Sequence, residues 1–242
     1  MSSPNPPLKA PIIYVKMPKC AGSSLQNLLV EKDRLYEIQD PSFVELETLI
    51  RESKQRVIQV RHANLACIEK RFPEWTHSAW IFAIVRNPRS RFVSGWRYCE
   101  TTRWRSFSSV VKSPPRREDN EQDWHHMTKP LLDFALNEKQ EFLIDHVVKF
   151  ENLQEDLKPV FEKIGFPEMT LPHVNKTKHA DFRLYYSKKN WNRVGEIFAK
   201  DLALFGYEEE APKQTPAAYS ERVRVHIEIL WNWFLRKTTR QS

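Results

Sequence analysis

Cysteine is scarce in this chain, and so are glycine and long apolar runs. The three cysteines, Cys20, Cys67 and Cys99, are an odd number at spacings that suggest neither a zinc site nor a disulfide framework, so a reducing compartment is expected. The longest apolar run, Ala79 to Val85, is too short to span a bilayer. No apolar segment follows the opening M-S-S-P-N-P-P, so the expectation is no signal peptide and no anchor. The expected location is cytoplasmic, or the chain is expected to be a soluble excised catalytic domain. A phosphate loop of the G-x-x-x-x-G-K-[ST] kind is missing as well. Lys19 comes three residues before Gly22, and nothing supplies the first glycine. No internal repeat is visible.

What is present describes a globular enzyme. The 242 residues are 40% hydrophobic and 12% aromatic with eight Trp, enough for one α/β domain or two small ones with a real core. The expected organisation is a flexible Pro-rich lead-in over 1–10, a main domain over 11–210, and an amphipathic helix over 217–237 packed on that domain. Val223, Ile227, Leu230, Trp231 and Phe234 form the apolar face of that last helix. The net charge of +7 is concentrated: between Arg86 and Arg117 nine basic residues stand against one acid, Glu100. Such a segment signals an anionic partner, whether nucleotide, acidic glycan or nucleic acid.

The chain is organised around Ile12 to Leu25, I-I-Y-V-K-M-P-K-C-A-G-S-S-L. Four β-branched and aromatic residues read as a buried strand of a parallel sheet. A turn through Lys16 to Gly22 follows, then a helix to about Glu31, capped by Ser23 or Ser24, whose apolar face begins at Leu25. Strand, small-residue turn and helix N-terminus together suit an anion, because the first helical N–H groups lack intrahelical partners and the dipole favours negative charge there. Lys16, Lys19 and the two serine hydroxyls add charge and donors.

Further strands are expected at Arg56 to Val60, Trp80 to Val85 and Ile144 to Phe150. Helices are expected at Ser42 to Ser53, from Pro88 onward, at Lys129 to Asn137 and from Glu151 to about Ile164. His62 follows the second strand, at the carboxyl end where ligands of open α/β folds bind. Residues 101–129 have no clear periodicity and read as a long surface loop where an acceptor would be selected. His125 and His126 lie in it, outside the catalytic assignment.

The turn resembles the 5′-phosphosulfate loop of sulfotransferases that use 3′-phosphoadenosine 5′-phosphosulfate (PAPS), in the P-K-x-A/G-G-[ST]-[ST]-[LF] form of the heparan sulfate 2-O- and 6-O-enzymes. Arg86-Asn87-Pro88 through Ser94 resembles that family's R-[DN]-P-x-x-R-x-x-S motif for the 3′-phosphate. The continuation G-W-R-Y-C-E-T-T-R-W is similar to the 6-O-enzymes. Phe150 to Leu153, L-P-H-V-N-K-T at Leu171 to Thr177, and D-L-A-L-F-G-Y at Asp201 to Tyr207 match later segments of the family in order. Cys20 departs from the common Thr, and Lys16 from the common His or apolar residue.

The resemblance implies a P-loop-like parallel sheet flanked by helices, PAPS as co-substrate and adenosine 3′,5′-bisphosphate as product, with no metal. It places Lys16, Lys19, Ala21, Gly22, Ser23, Ser24 and Leu25 around the 5′-phosphate. Arg86 and Ser94 would hold the 3′-phosphate, and Asn175, Lys176 and Thr177 would cover the nucleotide. The acceptor is expected to be a hydroxyl, on a glycan by family type, and no nucleic acid or membrane partner is implied. Sulfuryl transfer then resembles phosphoryl transfer, with positioning and charge stabilisation around an in-line displacement. His62 matches the family's base, with Glu151 as the alternative. The rival readings are a P-loop kinase, which the missing G-x-x-x-x-G-K-[ST] order opposes, and a basic nucleic-acid-binding module.

Overall fold

Ile12, Ile13, Tyr14 and Val15 are all buried and form the strand β1 (Ile12–Val15). The computed structural model describes residues 11–38, 56–60, 65–171, 181–207, 210–213, 215–216, 219–220, 222–225, 227–228 and 231. After β1 come α1 (Gly22–Glu31), β2 (Leu35–Ile38), β3 (Val57–Val60), α2 (Leu65–Arg71), α3 (Pro73–Ser78) and β4 (Trp80–Val85). The chain continues through α4 (Pro88–Tyr98), α5 (Phe107–Lys112), α6 (Glu121–Met127), α7 (Leu132–Ala135) and β5 (His146–Lys149). Then follow α8 (Leu153–Asp156), α9 (Lys158–Lys163), α10 (Lys188–Ile197) and α11 (Ala199–Phe205). Two compact units result, one from Met1–Val85 and Leu131–Pro172, the other from Arg86–Pro130 and His173–Ser242.

The first unit is built on a five-stranded, all-parallel sheet in the order β2-β3-β1-β4-β5, flanked by helices. Its central strands carry near-continuous apolar residues because both faces are covered. β4 buries five of six residues, whereas the edge strands β2 and β5 each bury only one of four. β1 pairs with β3 on one side and β4 on the other. The strand order therefore reverses direction at β1, and its carboxyl end is the topological switch point where ligands of open α/β sheets bind. Leu25, Leu28 and Leu29 bury one face of α1, together worth several kcal/mol at about 1.5–3 kcal/mol per buried leucine.

The second unit has an aromatic core. Trp96, Phe107, Tyr186 and Trp191 pack in chain contact, with ring centroids 5.1 Å apart for Trp96–Phe107, 4.9 Å for Phe107–Tyr186 and 5.3 Å for Tyr186–Trp191. The latter two pairs meet edge to face, the favoured quadrupole geometry.

Several expectations need correction. Residues 101–129 are not a long loop: Ser106 caps α5 by accepting from the Ser109 amide, and Asn120 caps α6 by accepting from that of Asp123. Both helices span only six or seven residues, too short for periodicity to show. The helix expected over Lys129 to Asn137 is the single turn α7, because the Asn137 side chain then accepts from the Glu141 amide at 2.8 Å and closes a turn. Strand β2 was not anticipated. In the last segment the described residues from 216 to 231 are helical. There Val225 enters the core of its unit, while Val223, Ile227 and Trp231 of the expected packing face are 41%, 60% and 61% exposed. The helix expected over 42–53 lies outside the described residues.

Candidate functional site

The turn after β1 has an unusual backbone. Lys19 (φ 63°) and Ala21 (φ 62°) both take the left-handed conformation without being glycine. Each costs on the order of 1–2 kcal/mol, strain of the kind that collects at ligand-binding turns. Ala21 is the N-cap of α1, and no side chain caps the helix. Ser23 and Ser24 therefore do not serve as caps: the left-handed Ala21 starts the helix one residue early and draws both into its first turn. The Ser24 and Leu25 amides donate to the Ala21 carbonyl at 3.0 and 3.3 Å. This leaves the Gly22 and Ser23 amides ahead of them for an external acceptor. Successive amides around left-handed residues make a concave anion site, and the dipole of the ten-residue α1 adds to it.

Of the residues expected here, Gly22 and Leu25 are buried, Lys16, Lys19, Ala21 and Ser24 half-buried, and Ser23 exposed. Gly22 is required by close approach, since a Cβ there would meet the Tyr14 hydroxyl at 2.8 Å and Lys16 Cγ at 2.9 Å. The Lys16 ammonium donates to Gln26 Oε1. Gln26 in turn donates to Glu37 at 3.4 Å, and Gln59 donates to the same carboxylate at 3.1 Å. Lys16 is thereby tied to β2 and β3, which the sequence reading did not foresee. Cys20 is buried, its thiol donating to the Pro18 carbonyl at 3.4 Å. Glu151 stands exposed in the 3-10 turn after β5.

In the second unit, Pro88 opens α4 and Asn87 caps it, accepting from the Arg89 and Ser90 amides at 2.9 and 3.4 Å. Arg86 Nε donates to Ser90 Oγ at 3.0 Å. Ser94 follows Ser90 by one turn, so these two serines share a side of the helix, and Arg86 reaches Ser90 from ahead of the cap. Ser94 is half-buried, as is Arg86. His62, Asn175, Lys176 and Thr177 lie outside the described residues.

The basic run divides by environment. Arg89 is buried with its guanidinium 4.2 Å above the Trp191 ring, donating to the Trp191 carbonyl at 3.3 Å. Arg91 is fully buried and donates to the Lys129 carbonyl at 2.6 Å. Arg97 pairs with Glu228, Arg103 with Glu100, and Arg117 with Glu121. Arg105 donates to the Ser109 and Ser113 carbonyls. Much of this basic run is held by contacts within the protein. Among the described residues no His, Cys, Asp and Glu group of three or more could hold a metal, and no helix is long and apolar enough to cross a membrane.

A parallel α/β sheet whose central strand runs through a left-handed turn into an uncapped helix defines a class of proteins suited to binding oxyanions at that turn. The chain belongs to the Sulfotransferase family, whose model it matches over residues 9–208. Family membership supports sulfuryl transfer as the class of reaction. Among solved structures the chain is similar to a sulfotransferase from Alicyclobacillus acidocaldarius, with 15% identity and a TM-score of 0.46, over 81% of this chain and 98% of that one. No curated protein matches it.

Proposed function

We propose that the protein moves the sulfuryl group of PAPS to an acceptor hydroxyl on a carbohydrate by in-line displacement. The observation that carries the reading is the strained, uncapped turn between β1 and α1, where two left-handed residues precede an open helix N-terminus. A 5′-phosphate suits it: an anion there is met by the Gly22 and Ser23 amides and the helix dipole, with the Ser23 and Ser24 hydroxyls as further donors. Lys19 donates to the bridging oxygen as charge builds on the departing phosphate, a contribution made chiefly in the transition state. Arg86 and Ser94 hold the 3′-phosphate, which is supported by the bond of Arg86 to Ser90, one turn before Ser94. Asn175, Lys176 and Thr177 close over the nucleotide, and His62 takes the acceptor's proton, as the family resemblance implies. The glycan acceptor is supported by the likeness of Gly95 to Trp104 to the heparan 6-O-enzymes.

Calorimetric titration tests the nucleotide half of the reading. Adenosine 3′,5′-bisphosphate should bind without added metal, and ATP with Mg²⁺ should bind far more weakly; the reverse order would make the protein a kinase-like phosphotransferase. Radiolabelled PAPS offered with a panel of glycans, phenols and small alcohols tests the acceptor. Label appearing only on non-carbohydrate hydroxyls would overturn the glycan assignment.

A further inference from the structure

Tyr14 carries a hydroxyl that the roles above leave unused. Its ring stacks on Phe82, centroids 4.9 Å apart, and the residue is completely buried. The hydroxyl has no hydrogen-bond partner among the described residues. Leaving a buried donor unsatisfied costs more than a made hydrogen bond returns, so such an orphan in a native protein calls for a partner beyond the described residues.

Its position says which partner. The oxygen lies 2.8 Å from the point where a Cβ on Gly22 would stand, so only the bare Cα of that glycine lets the hydroxyl come up against the first residue of α1. The neighbouring Gly22 and Ser23 amides are donors, as the open end of a helix requires. Burial, and then the adjacent Cys20, push the Tyr14 phenol far above its ordinary pKa, so it keeps its proton and is itself a donor. Donors gathered without an acceptor suit an oxyanion. Lys16 lies against the same point, with Cγ at 2.9 Å and Cε at 3.2 Å. Its flexible stem is the part that can give way to a ligand oxygen.

We propose that the Tyr14 hydroxyl is a hidden member of the anion site, donating to an oxygen of the 5′-phosphate held at the turn. This rests on the PAPS reading above and adds to it a ligand contributed by the strand beneath the loop.

The test compares wild type with Tyr14→Phe, which keeps the ring and its stacking. The ligands are adenosine 3′,5′-bisphosphate and adenosine 3′-monophosphate, which lacks the 5′-phosphate. The variant should bind the bisphosphate roughly tenfold more weakly, as expected for one charge-assisted hydrogen bond, and the monophosphate as wild type does. The Tm of the unliganded variant should not fall, because the lost hydroxyl has no partner among the described residues. Unchanged bisphosphate binding, equal weakening of both ligands, or a Tm lowered by many degrees would each overturn the proposal. Failure of the wild type to bind either nucleotide would bring down the PAPS reading instead. Inorganic phosphate then becomes the probe: it should raise the Tm of wild type more than that of Tyr14→Phe, and equal shifts would overturn the role of Tyr14.

Discussion

Lys19 occupies a left-handed backbone position (φ 63°), so its side chain and its backbone strain are separable by substitution. Lys19→Ala removes the ammonium and keeps the strain, whereas Lys19→Gly removes both. Turnover should fall far more than affinity for adenosine 3′,5′-bisphosphate in the alanine variant, since in the proposed role Lys19 meets charge that develops only during transfer. Equal losses in both would assign Lys19 to binding alone. His62 is the base proposed for the acceptor's proton. His62→Ala should lose roughly 10²–10⁴ in turnover, the range for a positioned base. Nucleotide affinity should be unaffected, and the acidic limb of the pH–rate profile should vanish. Retained activity in that variant, with loss in Glu151→Gln, would transfer the role to Glu151.

Among the elements, α4 shows how little local sequence is needed to start a helix and how much tertiary contact is needed to seat it. Asn87 and Pro88 set its first turn by side-chain capping and a fixed φ, both legible in R-N-P. Its fit to α6 rests on Gly95, where a Cβ would stand 2.9 Å from Met127 Cβ and 3.1 Å from Met127 Cα. Alanine would gain about 1 kcal/mol of helix propensity but overpack a contact that includes backbone, at about 1–3 kcal/mol. Gly95→Ala should therefore be destabilising by up to about 2 kcal/mol in denaturant unfolding. A neutral or stabilised variant would show that α6 can shift to make room. The helices α5 and α6 themselves were legible only through their caps, Ser106 and Asn120, since so few residues establish no period.

At the scale of the whole molecule, each unit buries a phenol. Burial raises the pKa of Tyr14, with Cys20 adding to the rise. Burial likewise raises that of Tyr186 well above its ordinary value, only partly opposed by Arg89, and its hydroxyl donates to the Arg89 carbonyl at 2.8 Å. In the unfolded chain both titrate near pH 10, about the value of free tyrosine. The sign follows: the unfolded state releases protons first, so their contribution is complete below about pH 10 and is lost as pH rises above it. Each adds a slope of about 1.4 kcal/mol per pH unit in that window. Unfolding curves between pH 8 and 11 should show a steep alkaline loss that Tyr14→Phe and Tyr186→Phe each reduce. A loss unchanged in both variants would assign it to other groups.

The sequence by itself determined β1, the position of the turn after it, β4 and the opening of α4. Each is a local matter of β-branched runs, proline geometry and short-range capping, as is the family to which the motifs point. Tertiary structure decided what those residues do with their polar groups. That Ser23 and Ser24 leave α1 uncapped follows from the left-handed Lys19 and Ala21, a conformation no residue type there demands. Arg89 and Arg91 look like surface charge in a basic run, yet they are core. The reason is distance: the Trp191 ring and carbonyl that hold Arg89 lie 102 residues along the chain, beyond the reach of any pattern local to the arginine.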